Sequence, residues 1–410
     1  MTGLGLRLAW RNLWRHPRRT VLTLAAIAFS NVLLVFMISL QVGTYGLMID
    51  NSLQALTGHL QVQADGWLDD HRLQQVVPDG AALAADLRAG LGLAAVSQRA
   101  VAHALLSSEE RSYGAQLLGV DPEREPLVSS LPGLLRDGRW LANGGAAEIV
   151  LGSALARNLR VAPGDRVTLL GSARDGSFAA SITTVAGVFD SGIAGIDRGI
   201  AMLPFDYFGE TFAMRGAAHQ VVIVTPALEH VPEYEWRAEA LLPASANLVV
   251  LDWDVLQPGL KQAIRADIGS AFFVYAVLVV LVAFSVLNTQ LMSVLERTKE
   301  FGIHLALGIS PGRLGNIVLT ESALLGGLGL LLGMLLGAAV TAWFGVRGFA
   351  YPGMEELAAS FNLPAVFYPQ LNLVSVTAGP GVVFVFTLLA ALYPALRLHW
   401  LEPVAAMRAA

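Results

Sequence analysis

Residues able to do chemistry are few in this chain, and they are scattered. Its eight histidines (His16, His59, His71, His103, His219, His230, His304 and His399) form no HExxH and no i, i+4 pair, so no zinc-type ligand set is predicted. Its two lysines, Lys261 in PGLKQ and Lys299 in ERTKE, both lie outside any GxxxxGK[ST] phosphate-cradling loop. A nucleotide that drives this protein would therefore be held by another chain. No GxSxG elbow is present, and Gly152-Ser153 ahead of an amphipathic stretch reads as a helix cap rather than a nucleophile. The absence of cysteine excludes disulfides, thiolate metal sites and a cysteine nucleophile. Acid pairs such as Asp69-Asp70 and Glu109-Glu110 read as solvated faces, so a non-catalytic chain with no bound cofactor or metal is expected.

The segment with mechanistic content is Glu296 to Arg313, ERTKEFGIHLALGISPGR. Phe301, Leu305 and Gly308 fall at i, i+4 and i+7, with Ile309 beside them, and present one apolar stripe on a helix whose other positions are polar. Gly308 is placed to stop that helix and Pro311 prevents its simple continuation. Two readings fit the pattern: a helix resting on lipid headgroups, or one that docks into a cytoplasmic partner and transmits force.

The elements that would hold such a helix are membrane spans. Only 14% of the 410 residues are charged and 54% are apolar, where a soluble chain has about a quarter charged. Residues 20–42 carry no charge and would reach about 34 Å as a helix, enough for a hydrocarbon core of about 30 Å. Residues 271–295, 317–346 and 373–396 qualify similarly. The first run is longer than a signal-peptide core and lacks a small-residue cleavage site, which predicts an uncleaved anchor. Five arginines (Arg7, Arg11, Arg15, Arg18, Arg19) precede it, and Arg297, Lys299 and Arg313 join spans two and three, so both ends of the chain are expected in the cytoplasm.

Within the spans, Gly329, Gly333 and Gly337 recur every fourth residue and predict close helix packing. Glu321 is an intramembrane acid near the cytoplasmic edge, expected to cap span three or contact the docking helix. Phe29, Leu33, Phe36 and Leu40 form a stripe along span one that could face lipid, another helix or the acyl chains of a cargo.

Residues 43–267 form an external block with 16 Lys or Arg against 26 Asp or Glu. Alternating apolar runs at 166–170, 181–188 and 220–225, turns at Pro132-Gly133, Asp137-Gly138 and Pro163-Gly164, and helical spacing at 81–91 and 152–159 predict an α+β domain. The expected fold is thus four transmembrane helices with a large α+β periplasmic domain between helices 1 and 2. Its division is a basic leader (1–19), span one (20–42), the periplasmic domain (43–267), span two (271–295), the docking segment (296–316), span three (317–346), a short periplasmic loop (347–372), span four (373–396) and a cytoplasmic tail (397–410). A net charge of −5 excludes a nucleic-acid partner.

Several motifs resemble the FtsX/MacB/LolC-LolE permeases of type VII ABC transporters. ERTKEFGIHLALGISPGRLGNIVLTESALLGGLGLLLGMLLG (296–337) resembles the family's docking helix and following span, and YPALRLHWLEPVAAMR (393–408) its closing signature. EIVLGSALARNLRVAPGDRVTLL (148–170), GVDPE (119–123) and VAGVFDSGIAGIDRGIAMLP (185–204) resemble the periplasmic core of LolC/LolE and MacB. The resemblance covers nearly the whole chain, in order. It implies a dimer with an identical or related permease chain, two cytoplasmic LolD-like ATP-binding subunits carrying the ATP and magnesium, and mechanotransmission. It also implies docking of the ATPase on Glu300, Phe301, Gly302, Leu305 and Gly308. MacB carries its ATPase at its N-terminus, whereas no such sequence precedes span one here, so the layout is closer to LolC/LolE and the expected activity is extraction of lipoprotein or other lipid-anchored cargo from the inner membrane. The alternatives are a MacB-type efflux permease working with a periplasmic adaptor and an FtsX-like scaffold that activates a periplasmic hydrolase.

Overall fold

The computed structural model describes residues 3–143, 145–243, 246–350 and 366–400. Residues 401–410, which hold the second half of the closing signature, and residues 351–365 of the 347–372 loop lie outside the described residues. The chain divides into two compact units, one of residues 1–46, 263–351 and 366–410, the other of residues 47–262 with 352–365.

In chain order the main helices are α1 (Gly3–Leu13), α2 (Pro17–Ser52), α3 (Gly80–Leu91), α4 (Ser153–Leu159), α5 (Val231–Leu241), α6 (Pro258–Glu296), α7 (Thr298–Ala306), α8 (Pro311–Arg347) and α9 (Leu373–Arg397). Among the described residues, α2, α6, α8 and α9 with its terminal turn are the four helices long and apolar enough to cross a membrane. Helices α2 and α6 run well beyond the apolar stretches 20–42 and 271–295 on the side of the α+β domain. An apolar run reports hydrocarbon thickness, whereas backbone hydrogen bonds let a helix continue into water. The basic leader holds helix α1, a short turn and the first residues of α2.

In the membrane unit, Gly329, Gly333 and Gly337 of α8 are buried against α2. A Cβ on Gly333 would stand 2.3 Å from the Asn31 Cβ, and one on Gly329 2.5 Å from the Ile27 side chain. Small residues every fourth position thus bring the two helices together where hydrophobicity alone gives no preference for another helix over lipid. Helix α9 starts on a reciprocal cap between Asn372 and Ser375.

The second unit is built on one ten-stranded sheet. Its strands are β1 (Leu60–Ala64), β2 (Val96–Ser107), β3 (Ser112–Val120), β4 (Leu135–Gly138), β5 (Glu148–Gly152), β6 (Arg166–Ser172), β7 (Phe178–Phe189), β8 (Ile200–Pro204), β9 (Gln220–Ile223) and β10 (Leu248–Asp252). They are ordered β10-β1-β9-β2-β3-β8-β5-β7-β4, with β6 paired to β2 and β7. One face carries Leu83 and Leu87 of α3, Leu155 and Leu159 of α4, and Ala238 of α5 over Ala100, Ala102 and Leu117. The opposite face buries Val101, Leu118, Val150, Phe189 and Met202 with Trp67. The period-two alternation along β2 and β3 therefore feeds two cores. Asp79 caps α3 by accepting from the Ala82 N–H at 3.0 Å.

Helix α2 ends in a wide turn, Leu53–Thr57, with i→i+5 bonding. Its carbonyls are taken up by the domain: the Ser130 N–H donates to Gln54 O at 2.7 Å, Ser129 Oγ to Ala55 O at 2.8 Å, and Arg99 Nη1 to Leu56 O.

Candidate coupling site and apolar cavity

Helix α7 starts directly after α6, and its first turn is fixed by charge. Arg297, at the N-cap position, donates from Nη1 to both oxygens of Glu321, at 3.1 and 3.3 Å, and Asn12 Nδ2 of α1 donates to Glu321 Oε1 at 2.7 Å. The Glu321 carboxylate is 6% exposed and the Arg297 side chain 13%, so this pair is removed from water and each charge requires the other. The Arg297 guanidinium also lies 4.9 Å from the centre of the Phe301 ring. Nearer the surface, Arg15 meets Glu300 at 2.6 Å and Arg19 meets Glu296 at 2.8 Å. Burial works against the Glu300 carboxylate, but Arg15 and Arg297 outweigh it and hold its carboxyl below the usual range.

The apolar stripe of α7 is turned inward. Phe301 is 2% exposed and packs with Val294 of α6, Leu314 and Val318 of α8, and Ala395 and Leu398 at the end of α9. Gly302 is buried and Leu305 half-buried against the same cluster. Of the residues expected to dock a partner, Phe301 and Gly302 are thus covered by the chain's own bundle, Leu305 is half-buried, and Gly308 is exposed. The outward face is Lys299, Ile303, His304 and Leu307, with Ile303 48% and Leu307 75% exposed. Gly308 ends the helix at a φ of 88°, where a side chain would be strained. Glu300 remains on the accessible rim. Glu321, the intramembrane acid expected to cap span three or contact the docking helix, accepts from Asn12 of α1 and from Arg297 at the start of α7.

The stripe Phe29, Leu33, Phe36, Leu40 does not form one open track. Phe29 is 69% exposed, but Phe36 is buried edge-on to Phe344 and Phe349, at ring separations of 5.5 and 5.4 Å, and Leu33 and Leu40 are half-buried. A half-open apolar cavity lies on the neighbouring face of α2. It measures about 280 Å³ and is lined by Leu34 and Ile38 of α2, Tyr275 and Val279 of α6, and Gly379 and Val382 of α9. Gly379 makes room there, since a Cβ on it would lie 3.0 Å from that of Leu34.

Among the described residues no group of three His, Asp or Glu could hold a metal. The buried polar groups of the α+β unit serve structure. Arg99 and Glu125, 1% and 0% exposed, form a two-pronged pair at 2.6 and 3.1 Å, and His219 Nδ1 accepts from the Val101 N–H at 2.9 Å. Burial pushes His219 down to about 4. Sequence reasoning missed Asn12, Arg99 and Glu125 altogether, and used Arg15 and Arg297 only as markers of orientation.

The FtsX-like permease C-terminal family matches residues 272–403, and the MacB-like periplasmic core domain family matches residues 20–240. The chain is similar to the lipoprotein-releasing system transmembrane protein LolC of Xylella fastidiosa, with 27% identity over 316 residues that cover 73% of this chain and 74% of that protein. It is also similar to the macrolide export ATP-binding/permease protein MacB of Hyphomonas neptunium, with 34% identity over 122 residues, 30% of this chain and 16% of that protein. The periplasmic region of MacB from Actinobacillus actinomycetemcomitans is a structural neighbour at 15% identity and a TM-score of 0.35, covering 52% of this chain and 97% of that one. A match to the MacB-like periplasmic core over residues 20–240 and to the FtsX-like permease C-terminal over 272–403, in a chain with four long apolar helices, places it in the FtsX/MacB/LolC-LolE family of ABC transporter permeases.

Proposed function

We propose that this chain is the non-catalytic membrane subunit of a lipoprotein-releasing ABC transporter, in which a separate ATP-binding subunit docks on the exposed rim of α7 and ATP hydrolysis drives movement of the α+β domain. The transporter contains two permease chains, identical or related, and two ATP-binding subunits that carry the ATP and magnesium. The chain lies in the bacterial inner membrane with both ends cytoplasmic and residues 43–267 periplasmic, an orientation supported by the arginines ahead of α2 and around α7.

The observation that carries the cargo reading is the apolar cavity bounded by α2, α6 and α9. It has almost no polar lining, so it suits the acyl chain of a lipid-anchored protein, whose burial is worth about 0.8 kcal/mol per methylene. Similarity to LolC over 73% of the chain supports the same reading. The test is affinity purification of the tagged chain from gently solubilised membranes, for wild type and for Gly379→Leu, which fills the cavity. Wild type is expected to retain acylated proteins and an ATP-binding subunit, and the variant only the latter. Equal recovery of acylated proteins from both would refute the cavity as their site. Recovery of a periplasmic adaptor without acylated protein would move the function to efflux, the reading that the similarity to the macrolide exporter supports.

A further inference from the structure

Helix α1 presents a surface that the transport reading does not use. Ala9 and Leu13 turn inward, 0% and 7% exposed, while Leu6, Trp10 and Trp14 follow one another at i, i+4 and i+8 with 50%, 45% and 41% of their surface open. The two indole rings meet edge-on at 6.1 Å, and their strip is unbroken by charge. Arg7 and Arg11 stand one residue further round at every turn, both exposed and without an acidic partner among the described residues. Arg15 and Arg19, by contrast, are consumed by Glu300 and Glu296. Exposed tryptophans with arginines on the adjoining strip match the boundary between headgroups and acyl chains.

Two features identify what covers this strip. Helix α1 ends at Leu13 and the long apolar helix α2 begins at Pro17, so the strip is covalently held next to the bilayer. Beside Leu6 runs an open apolar groove of about 800 Å³ between α8 and α9, lined by Leu319, Thr320, Ala323, Leu388 and Leu392. We infer that α1 is a binding site for anionic phospholipid, with Arg7 and Arg11 pairing with the headgroup phosphate and an acyl chain lying along Leu6 in the α8–α9 groove. Zwitterionic lipid can fill the groove, but its headgroup cation offsets the phosphate charge that Arg7 and Arg11 would meet, so the site discriminates by net headgroup charge. Asn12 and Arg15, on the same short segment, reach Glu321 and Glu300, so the lipid-held helix is also the one that braces α7.

The test uses the full-length chain, delipidated in a non-ionic detergent and titrated with phosphatidylglycerol or phosphatidylcholine while bound lipid is counted by native mass spectrometry. Wild type should bind phosphatidylglycerol at least tenfold more tightly, and added salt should erode the difference. Arg7→Gln with Arg11→Gln should weaken phosphatidylglycerol binding roughly 25-fold, about fivefold per arginine, and leave phosphatidylcholine nearly unchanged. Ala323→Trp, which blocks the groove, should weaken both lipids, and Arg166→Gln on the α+β domain neither. Equal binding of the two lipids, an unaltered preference in the double arginine variant, or displacement of phosphatidylglycerol by millimolar inorganic phosphate would each overturn the inference.

Discussion

The wide turn Leu53–Thr57, where α2 leaves helical form, is held by a charge pair that has no contact with water, and removing half of that pair makes a sharp prediction. Arg99 donates to Leu56 O and is itself fixed by Glu125, the two side chains being 1% and 0% exposed. Glu125→Leu strands a buried guanidinium, and Arg99→Met a buried carboxylate. Each should cost about 3–5 kcal/mol, because the survivor retains its desolvation penalty without its counter-charge. The double variant replaces both charges with apolar groups and should recover most of the loss. Hydrogen exchange of the full-length chain, read by mass spectrometry on peptides covering the turn, checks this locally. At about 1.4 kcal/mol per tenfold, each single variant should speed exchange of the turn amides by roughly two to three orders of magnitude, with the double variant much closer to wild type. Single variants within a few-fold of wild type, or a double variant as fast as the worse single one, would show that the pair does not hold the turn.

Three further outcomes are expected. Gly333→Ala should lower the thermal midpoint of the detergent-solubilised chain, at a cost of about 1–3 kcal/mol, because its Cβ would stand 2.3 Å from that of Asn31; Gly327→Ala, with nothing within 4 Å, should leave the midpoint unchanged. Ile303→Asp with Leu307→Asp, on the open side of α7, should abolish copurification of the ATP-binding subunit while the chain still folds; Phe301→Ala should instead reduce the yield of folded chain, and the opposite pattern would restore Phe301 as a docking contact. Finally, His219 is held neutral with its pKa near 4, against about 6.5 when unfolded, so the α+β domain should keep its full stability above pH 6.5 and lose about 3 kcal/mol as the pH falls to 4. Urea midpoints across that range check the sign, and His219→Gln should flatten the fall.

What the sequence made legible is what local patterning encodes. The apolar runs mark helices because lipid demands them, the four-residue glycine repeat marks a packing face, and the alternation in 166–170 and 181–188 marks strands β6 and β7. The stripe of Phe301 and Leu305 was readable as a stripe, but pattern alone does not say whether the covering surface is a partner or the chain's own bundle, and here α6, α8 and α9 supply it. The same ambiguity applies to the α2 stripe, which could face lipid, another helix or cargo: Phe36 meets Phe344 and Phe349, more than three hundred residues away, while the apolar cavity lies on the adjacent Leu34 and Ile38 face. A contact of Glu321 with the docking helix was an expectation of the sequence, but its partners Asn12 and Arg297 were not, because nothing in the spacing records that the end of α1 and the start of α7 meet on α8.

The contacts around α7 are unequal, and the inequality determines how the helix can respond to load. Arg15–Glu300 and Arg19–Glu296 are between about a quarter and a half exposed, where ion pairs are worth at most about 1 kcal/mol. Arg297–Glu321 is sequestered, and breaking it would leave two charges without water. Phe301, one turn further along, adds the burial of a whole ring among three helices. At the other end, Leu307 is 75% exposed and Gly308 interrupts the backbone. Helix α7 is therefore held most firmly at its first turn, while its last turn keeps only the half-buried Leu305 against the bundle. A load applied near Leu307 strains the weak outer pairs first, and its reaction is borne at Arg297, Glu321 and Phe301, where the helix is locked to α6 and α8. A docked subunit pushing on the exposed rim would thus move the two long helices through their ends rather than peel α7 away, which is the behaviour that coupling by force requires.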